Sequence, residues 1–255
     1  MRVIVTRPAL QAAEWVAWLR AQGIDAIALP LIAIEPVADG APLVEAWNGL
    51  AAYRLVGFVS PNAAERFFAQ RPAEQSWPAA VLAASPGPGT TRTLRALGVP
   101  AAQIVEPAQD AAQFDSEALW AQLRGQEWRG AEVLIVRGDG GREWLAQTLR
   151  AAGARVAQIT AYRRMAPAFD AVQTGWLQAA LVEPARHLWL FSSSEAIDHL
   201  LASPLVGHGC DWSPARALAT HPRIAARARQ AGFGQVIEVR ASQAAVAACI
   251  QSLRP

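Results

Sequence analysis

Along this chain, short runs of consecutive apolar residues alternate with longer segments whose apolar positions recur every three to four residues. That alternation is the signature of βα units around a parallel sheet, with strands buried on both faces. Strands are expected at 3–5, 26–29, 55–59, 81–84, 103–105, 133–136, 156–160, 188–191, 215–219 and 236–239. Helical spacing predicts helices over 9–22, closed by Gly23, and over 62–70, 89–97, 116–123, 142–152, 169–182, 194–202, 222–231 and 242–253. Two segments fit neither period and read as linkers: 31–37, flanked by Pro30 and containing Pro36, and 161–167, containing Tyr162-Arg163-Arg164.

The pattern is written twice, about 130 residues apart. Val3-Ile4-Val5-Thr6-Arg7-Pro8 returns as Val133-Leu134-Ile135-Val136-Arg137-Gly138, and Phe58-Val59-Ser60-Pro61-Asn62-Ala63 returns as Phe191-Ser192-Ser193-Ser194-Glu195-Ala196. Gln103-Ile104-Val105-Glu106 likewise matches Gln235-Val236-Ile237-Glu238. Two lobes of common design follow, and the two linkers occupy equivalent places in them. The repeat alone permits a tandem arrangement, or one in which the chain begins one lobe, builds the other, and returns.

Composition narrows the function by exclusion. A length of 255 residues suits two modest domains, and 53% hydrophobic with 17% charged residues describes a packed protein. A net charge of +2 with no basic stripe excludes a dedicated nucleic-acid binder. All 23 basic residues are arginine, so Schiff-base chemistry and a P-loop lysine are excluded. Cys210 and Cys249 stand far apart, suggesting neither a disulfide framework nor a zinc site, and a reducing cytoplasm is expected. No run approaches the roughly 20 apolar residues that cross a bilayer, and Arg7-Pro8 interrupts the first apolar stretch, so no membrane association or signal peptide is expected.

In an open parallel sheet, ligands gather beyond the carboxyl ends of the strands. Ser60 and Asn62 after one strand, Gly87-Pro88-Gly89-Thr90-Thr91 after another, and Ser192, Ser193 and Ser194 after a third each open a helix there. Backbone N–H groups, a positive dipole end and hydroxyls make such junctions suited to anions, although plain capping accounts for a single serine equally well. Arg7 and Arg137 both follow a strand, where a guanidinium takes a carboxylate in bidentate fashion or forms an ordinary ion pair. The run Arg137-Gly138-Asp139-Gly140-Gly141-Arg142 lacks the lysine and Ser/Thr of a phosphate loop and reads as a turn with two exposed arginines. His187, His199, His208 and His221 show no metal-ligand spacing. Tyr162, one of two tyrosines, sits in the second linker, as packing or as a weak acid.

Taken in order, Thr6-Arg7-Pro8, Phe58-Val59-Ser60-Pro61-Asn62-Ala63, Gly87-Pro88-Gly89-Thr90, Ser116-Glu117-Ala118-Leu119, Arg137-Gly138 with Gly141-Arg142, Tyr162-Arg163 and Phe191-Ser192-Ser193-Ser194 resemble the motifs of the uroporphyrinogen-III synthase family over essentially the whole chain. The resemblance implies an α/β fold of two flavodoxin-like lobes with parallel sheets, joined by a two-stranded linker. It makes the first lobe discontinuous, 1–35 plus 166–255, with 36–165 as the second. It further implies a cofactor-free hydro-lyase that closes the linear tetrapyrrole hydroxymethylbilane with inversion of its last ring.

The implied partner is therefore a small molecule bearing eight carboxylates, and the expected protein is a cytoplasmic monomer. By the same resemblance, Tyr162 matches a tyrosine that helps the hydroxyl leave, Thr90 a substrate-facing threonine, and Ser192 to Ser194 a substrate-facing loop. At Thr220-His221-Pro222-Arg223-Ile224 the chain departs from the family, with Ile224 where threonine is common, and backbone N–H groups from Arg223 onward are expected to carry the contact. The competing reading is a two-lobed module that binds a small anion without catalysis.

Overall fold

The computed structural model describes residues 1–207 and 209–253, so His208 lies outside the described residues. The chain begins with strand β1 (Arg2–Val5), helix α1 (Ala9–Ala21) and strand β2 (Ala26–Ala28). It passes at Ala33–Ile34 into a second unit made of β3 (Ala33–Pro36), α2 (Ala41–Asn48), β4 (Leu55–Phe58), α3 (Pro61–Phe68), β5 (Leu82–Ala84), α4 (Pro88–Ala96), β6 (Ile104–Val105), α5 (Ser116–Leu123), β7 (Glu132–Gly138), α6 (Trp144–Ala151) and β8 (Arg155–Met165). From Met165 it returns to the first unit with α7 (Ala171–Val182), β9 (His187–Phe191), α8 (Ser194–Ala202), β10 (Arg216–Ala219), α9 (Pro222–Gln230), β11 (Gln235–Glu238) and α10 (Gln243–Ser252).

All ten expected strands form. The segment read as the first linker also contains a strand, β3, hydrogen-bonded to β8 at the edge of the second sheet. The second linker is the far end of β8 itself. Neither was legible from periodicity, because β3 is an edge strand with one partner and the far end of β8, with Arg163 and Arg164, carries no continuous apolar run. Helix α2, which buries Leu43, Ala46 and Trp47, was also missed.

Both sheets are flavodoxin-like. The first runs β2-β1-β9-β10-β11 with every neighbour parallel, and the second runs β8-β7-β4-β5-β6 beyond its β3 edge. Numbered in chain order, the first sheet reads 2-1-3-4-5 and the second 3-2-1-4-5; numbered by its matches in the sequence repeat, the second also reads 2-1-3-4-5. The sequence repeat explains the equivalence: β1 and β2 match β7 and β8, whereas β9 to β11 match β4 to β6. Each unit therefore joins the opening of one copy of the repeat to the close of the other.

Core packing follows the pleat. In the second sheet Val56, Phe58, Ala83, Leu134 and Val136 join one apolar cluster, and Leu55, Ala84, Val133 and Ile135 join the cluster on the opposite face. The first cluster centres on Trp47, which stacks on Phe67 at 4.9 Å and donates its indole N–H to the Phe67 carbonyl at 2.7 Å. In the first unit Val3, Val5, Leu188, Leu190 and Leu218 form one face of the sheet, while Trp189 and Phe191 turn to the other and pack with Phe233. No helix among the described residues is long and apolar enough to cross a membrane.

Candidate functional site

The strand-end residues fall into two groups, one in each unit. In the second unit the site is built around Tyr162. Strands β7 and β8 pair in parallel as far as Arg137 opposite Thr160, and a register shift then sets Gly138 opposite Tyr162. The bulge re-aims the side chain, as one extra residue in a strand does. Tyr162 is only 4% exposed, and its ring lies against the bare α-carbon of Gly138. A β-carbon at Gly138 would stand 2.8 Å from both Cε2 and Cζ of the ring and 3.1 Å from its hydroxyl.

The Tyr162 hydroxyl is 3.0 Å from Ser60 Oγ, which in turn accepts the Ala63 N–H at 3.2 Å as the N-cap of α3. Strand β4 delivers Ser60 to this point and Pro61 opens the helix in its preset conformation. Asn62 follows one position into the helix. The start of α4 lies alongside: a β-carbon on Gly89 would be 3.7 Å from Pro61 Cγ. Helix α4 has Gly87 as its N-cap and no side-chain cap, which leaves its first turn to other partners. Gly87 carries no side chain because Phe114 packs there, with its Cβ 2.9 Å from where one would begin.

The two threonines expected at this turn have different surroundings. Thr90 is buried and its hydroxyl has no hydrogen bond to any described residue. Thr91 is buried beneath the turn, where Oγ1 donates to Glu106 Oε2 at 2.6 Å and lies 3.0 Å from Ser85 Oγ. Ser85 itself donates to the Gly87 carbonyl at 2.8 Å and accepts the Gly87 N–H at 3.3 Å. Thr91 thus braces the glycine turn from behind.

Arg137 does not stand exposed as the sequence suggested. Its side chain is 12% accessible, and the guanidinium donates to Gln158 Oε1 at 2.6 Å, Glu143 Oε1 at 3.1 Å and the Gly141 carbonyl at 3.0 Å. Those bonds tie the Gly138–Glu143 turn to β8. Arg142, 38% accessible, forms a bidentate pair with Glu117, whose hydrogen bonds hold the guanidinium above the ordinary arginine range.

In the first unit, Thr6 Oγ1 donates to the Leu190 carbonyl at 2.8 Å and pins the end of β1 to β9. The Arg7 guanidinium then lies over the Trp15 indole, 4.4 Å from its centroid. Trp15 was not expected in the site. It lies on the second turn of α1, eight residues on, where nothing in the helical spacing marks it as a partner of Arg7. Ser193 caps α8 by accepting the Glu195 N–H at 3.2 Å, with Ser192 and Ser194 half-buried on either side. At the start of α9 the Arg223 N–H, expected to face the substrate, instead donates to His221 Nδ1 at 3.1 Å, and the Ile224 N–H to the His221 carbonyl at 3.0 Å. His221 fills the place that Gly87 leaves bare in the other unit. Among the described residues no group of three or more His, Cys, Asp or Glu side chains is placed to hold a metal ion.

Comparison with known proteins places this geometry. The family model described as Uroporphyrinogen-III synthase HemD matches residues 13–250. The uroporphyrinogen-III synthase of Synechococcus elongatus is 32% identical over 222 residues, covering 83% of this chain and 77% of the relative. That of Escherichia coli is 33% identical over 176 residues, covering 68% and 69%. The crystal structure of a mutant uroporphyrinogen III synthase from Thermus thermophilus superposes with a TM-score of 0.58 at 16% identity, covering 99% of this chain and 96% of the other, a likeness of fold.

Proposed function

The chain belongs to the uroporphyrinogen-III synthase family, and from that membership we infer that it closes hydroxymethylbilane with inversion of the terminal ring and loss of water, using Tyr162 as the proton donor. The observation that supports this role is the fixation of the phenol by Gly138 on its face and Ser60 at its hydroxyl. A weak acid so restrained hands its proton to the departing hydroxyl, which leaves as water and generates a cationic azafulvene. The terminal ring attacks through its substituted carbon to give a spiro intermediate. That intermediate fragments by breaking the original bond to the substituted carbon and recloses through the ring's free α-carbon on the other side of its nitrogen, and the proton lost there as the ring regains aromaticity balances the one donated.

Uncatalysed closure takes place without inversion, so the protein's contribution is conformational control of a flexible chain. Carboxylates are the handles. We assign their recognition to Arg7 and Ser192 to Ser194 in the first unit, and to Asn62, Thr90 and the uncapped first turn of α4 in the second, while Ser60, which the sequence suggested as a substrate contact, is engaged with Tyr162 and Ala63. Thr91 and Arg137 contribute through the turns they brace, and Arg223 through its side chain, since its N–H is held by His221. No cofactor takes part. The chain is expected to work as a cytoplasmic monomer, its mass checked by sedimentation.

Purified protein supplied with freshly generated hydroxymethylbilane should form the type III isomer, with chelator making no difference. After oxidation to porphyrins, chromatography separates type III from the type I product of spontaneous closure. Type I alone from folded protein would leave a small-anion binding module as the better account.

A further inference from the structure

We propose that Ser60 is a positioning residue for the reaction, acting through the Tyr162 hydroxyl as the group that compensates its charge while its proton is away. The inference rests on the reading of Tyr162 as proton donor. The 3.0 Å contact between the two hydroxyls leaves open which donates, and the surroundings decide what each choice does. Ser60 Oγ already accepts the Ala63 N–H at the positive end of α3, so the helix polarises its O–H bond.

A serine hydroxyl has one proton and two lone pairs. When Tyr162 donates to Ser60, the phenol proton is occupied and the hydroxyl is a poor acid. When Ser60 rotates its own proton toward Tyr162, the phenol proton is no longer committed to Ser60, and the oxygen left behind after transfer receives a hydrogen bond tied to a helix N-terminus. Rotation of one hydroxyl thus separates a resting from a donating tyrosine. The ring holds this place because Gly138 has no side chain: a β-carbon there would stand 2.8 Å from Cε2 and Cζ.

Capping alone makes a different forecast from this relay, and three substitutions of Ser60 divide them. Ser60→Thr retains both the cap and the proton. Ser60→Gly retains a tolerated N-cap but no hydroxyl, and Ser60→Asp retains a strong cap whose carboxylate can only accept. We expect kcat to follow Thr near Ser, then Gly about tenfold lower, roughly what one hydrogen bond to a charged group is worth, then Asp lower still because it captures the phenol proton. Thermal midpoints should not follow that order, and KM for Ser60→Gly should change less than twofold.

In the Tyr162→Phe background, Ser60→Gly should cost nothing further. Losses that multiply in the double variant, or an Asp variant as fast as the parent, would overturn the proposal and leave Ser60 as a cap. Wild-type turnover by Ser60→Gly alongside a slow Tyr162→Phe would also overturn it while sparing the role of Tyr162. Wild-type turnover by Tyr162→Phe itself would remove both.

Discussion

Tyr162 stands opposite Gly138 where the pairing of β7 with β8 changes register, so its ring covers an α-carbon without a side chain. The bulge and the glycine are two parts of one device. Without the shift Gly138 would face Ala161, and with any side chain at Gly138 the ring could not lie where it does.

Gly138→Ala is therefore expected to push the phenol aside. Overpacking of this kind costs about 1–3 kcal/mol, which thermal unfolding would register. Turnover should fall at least about tenfold, because misplacing a reacting group by an ångström weakens catalysis out of proportion to the strain. A variant with unaltered turnover and midpoint would show that the ring is not constrained from this side.

Tyr162→Phe removes the hydroxyl and keeps the ring against Gly138. Turnover should drop about 10- to 1000-fold, near the usual contribution of a general acid, while affinity for the polycarboxylate product changes little. Steady-state kinetics beside a product titration reads the two separately, and an equal loss in both would reassign the phenol to binding.

Adjacent threonines should behave oppositely. Thr91→Ala strips a hydroxyl that donates to Glu106 and leaves that carboxylate and Ser85 short of a partner, so a stability loss of about 1–3 kcal/mol in denaturant unfolding is expected. Thr90→Ala should leave stability nearly unchanged and lower turnover modestly, since the backbone of the same turn remains. Equal loss of stability in both would contradict the division between them.

Arg7 lies over the Trp15 indole, 4.4 Å from its centroid, so losing the indole should loosen the guanidinium proposed to take a carboxylate. Trp15→Leu should raise KM about 3- to 30-fold with kcat little affected, in keeping with the roughly 0.5–2 kcal/mol of a cation–π contact, and Trp15→Phe should recover most of it. Were kcat to fall instead with KM steady, Arg7 would belong to the chemical steps rather than to recognition.

The sequence by itself determined what depends on near neighbours: ten strands and most helices, the doubling of the pattern, and the strand-end position of Ser60, Thr90, Arg7 and Ser193. Each follows from periodicity and from residues that start helices, both of which act over a few positions. Tertiary structure alone decided which halves of the repeat share a sheet, because the repeat suits β1 to pair with β4 as well as with β9, and only closure of the two cores selects β1 with β9 and β7 with β4. It alone decided that Thr91 and Arg137 turn inward and that His221 takes the Arg223 N–H. It also set Tyr162 against Ser60, a hundred and two residues away in sequence. A one-residue shift in strand register redirects a side chain, and register is fixed by the packing of segments that no local pattern connects.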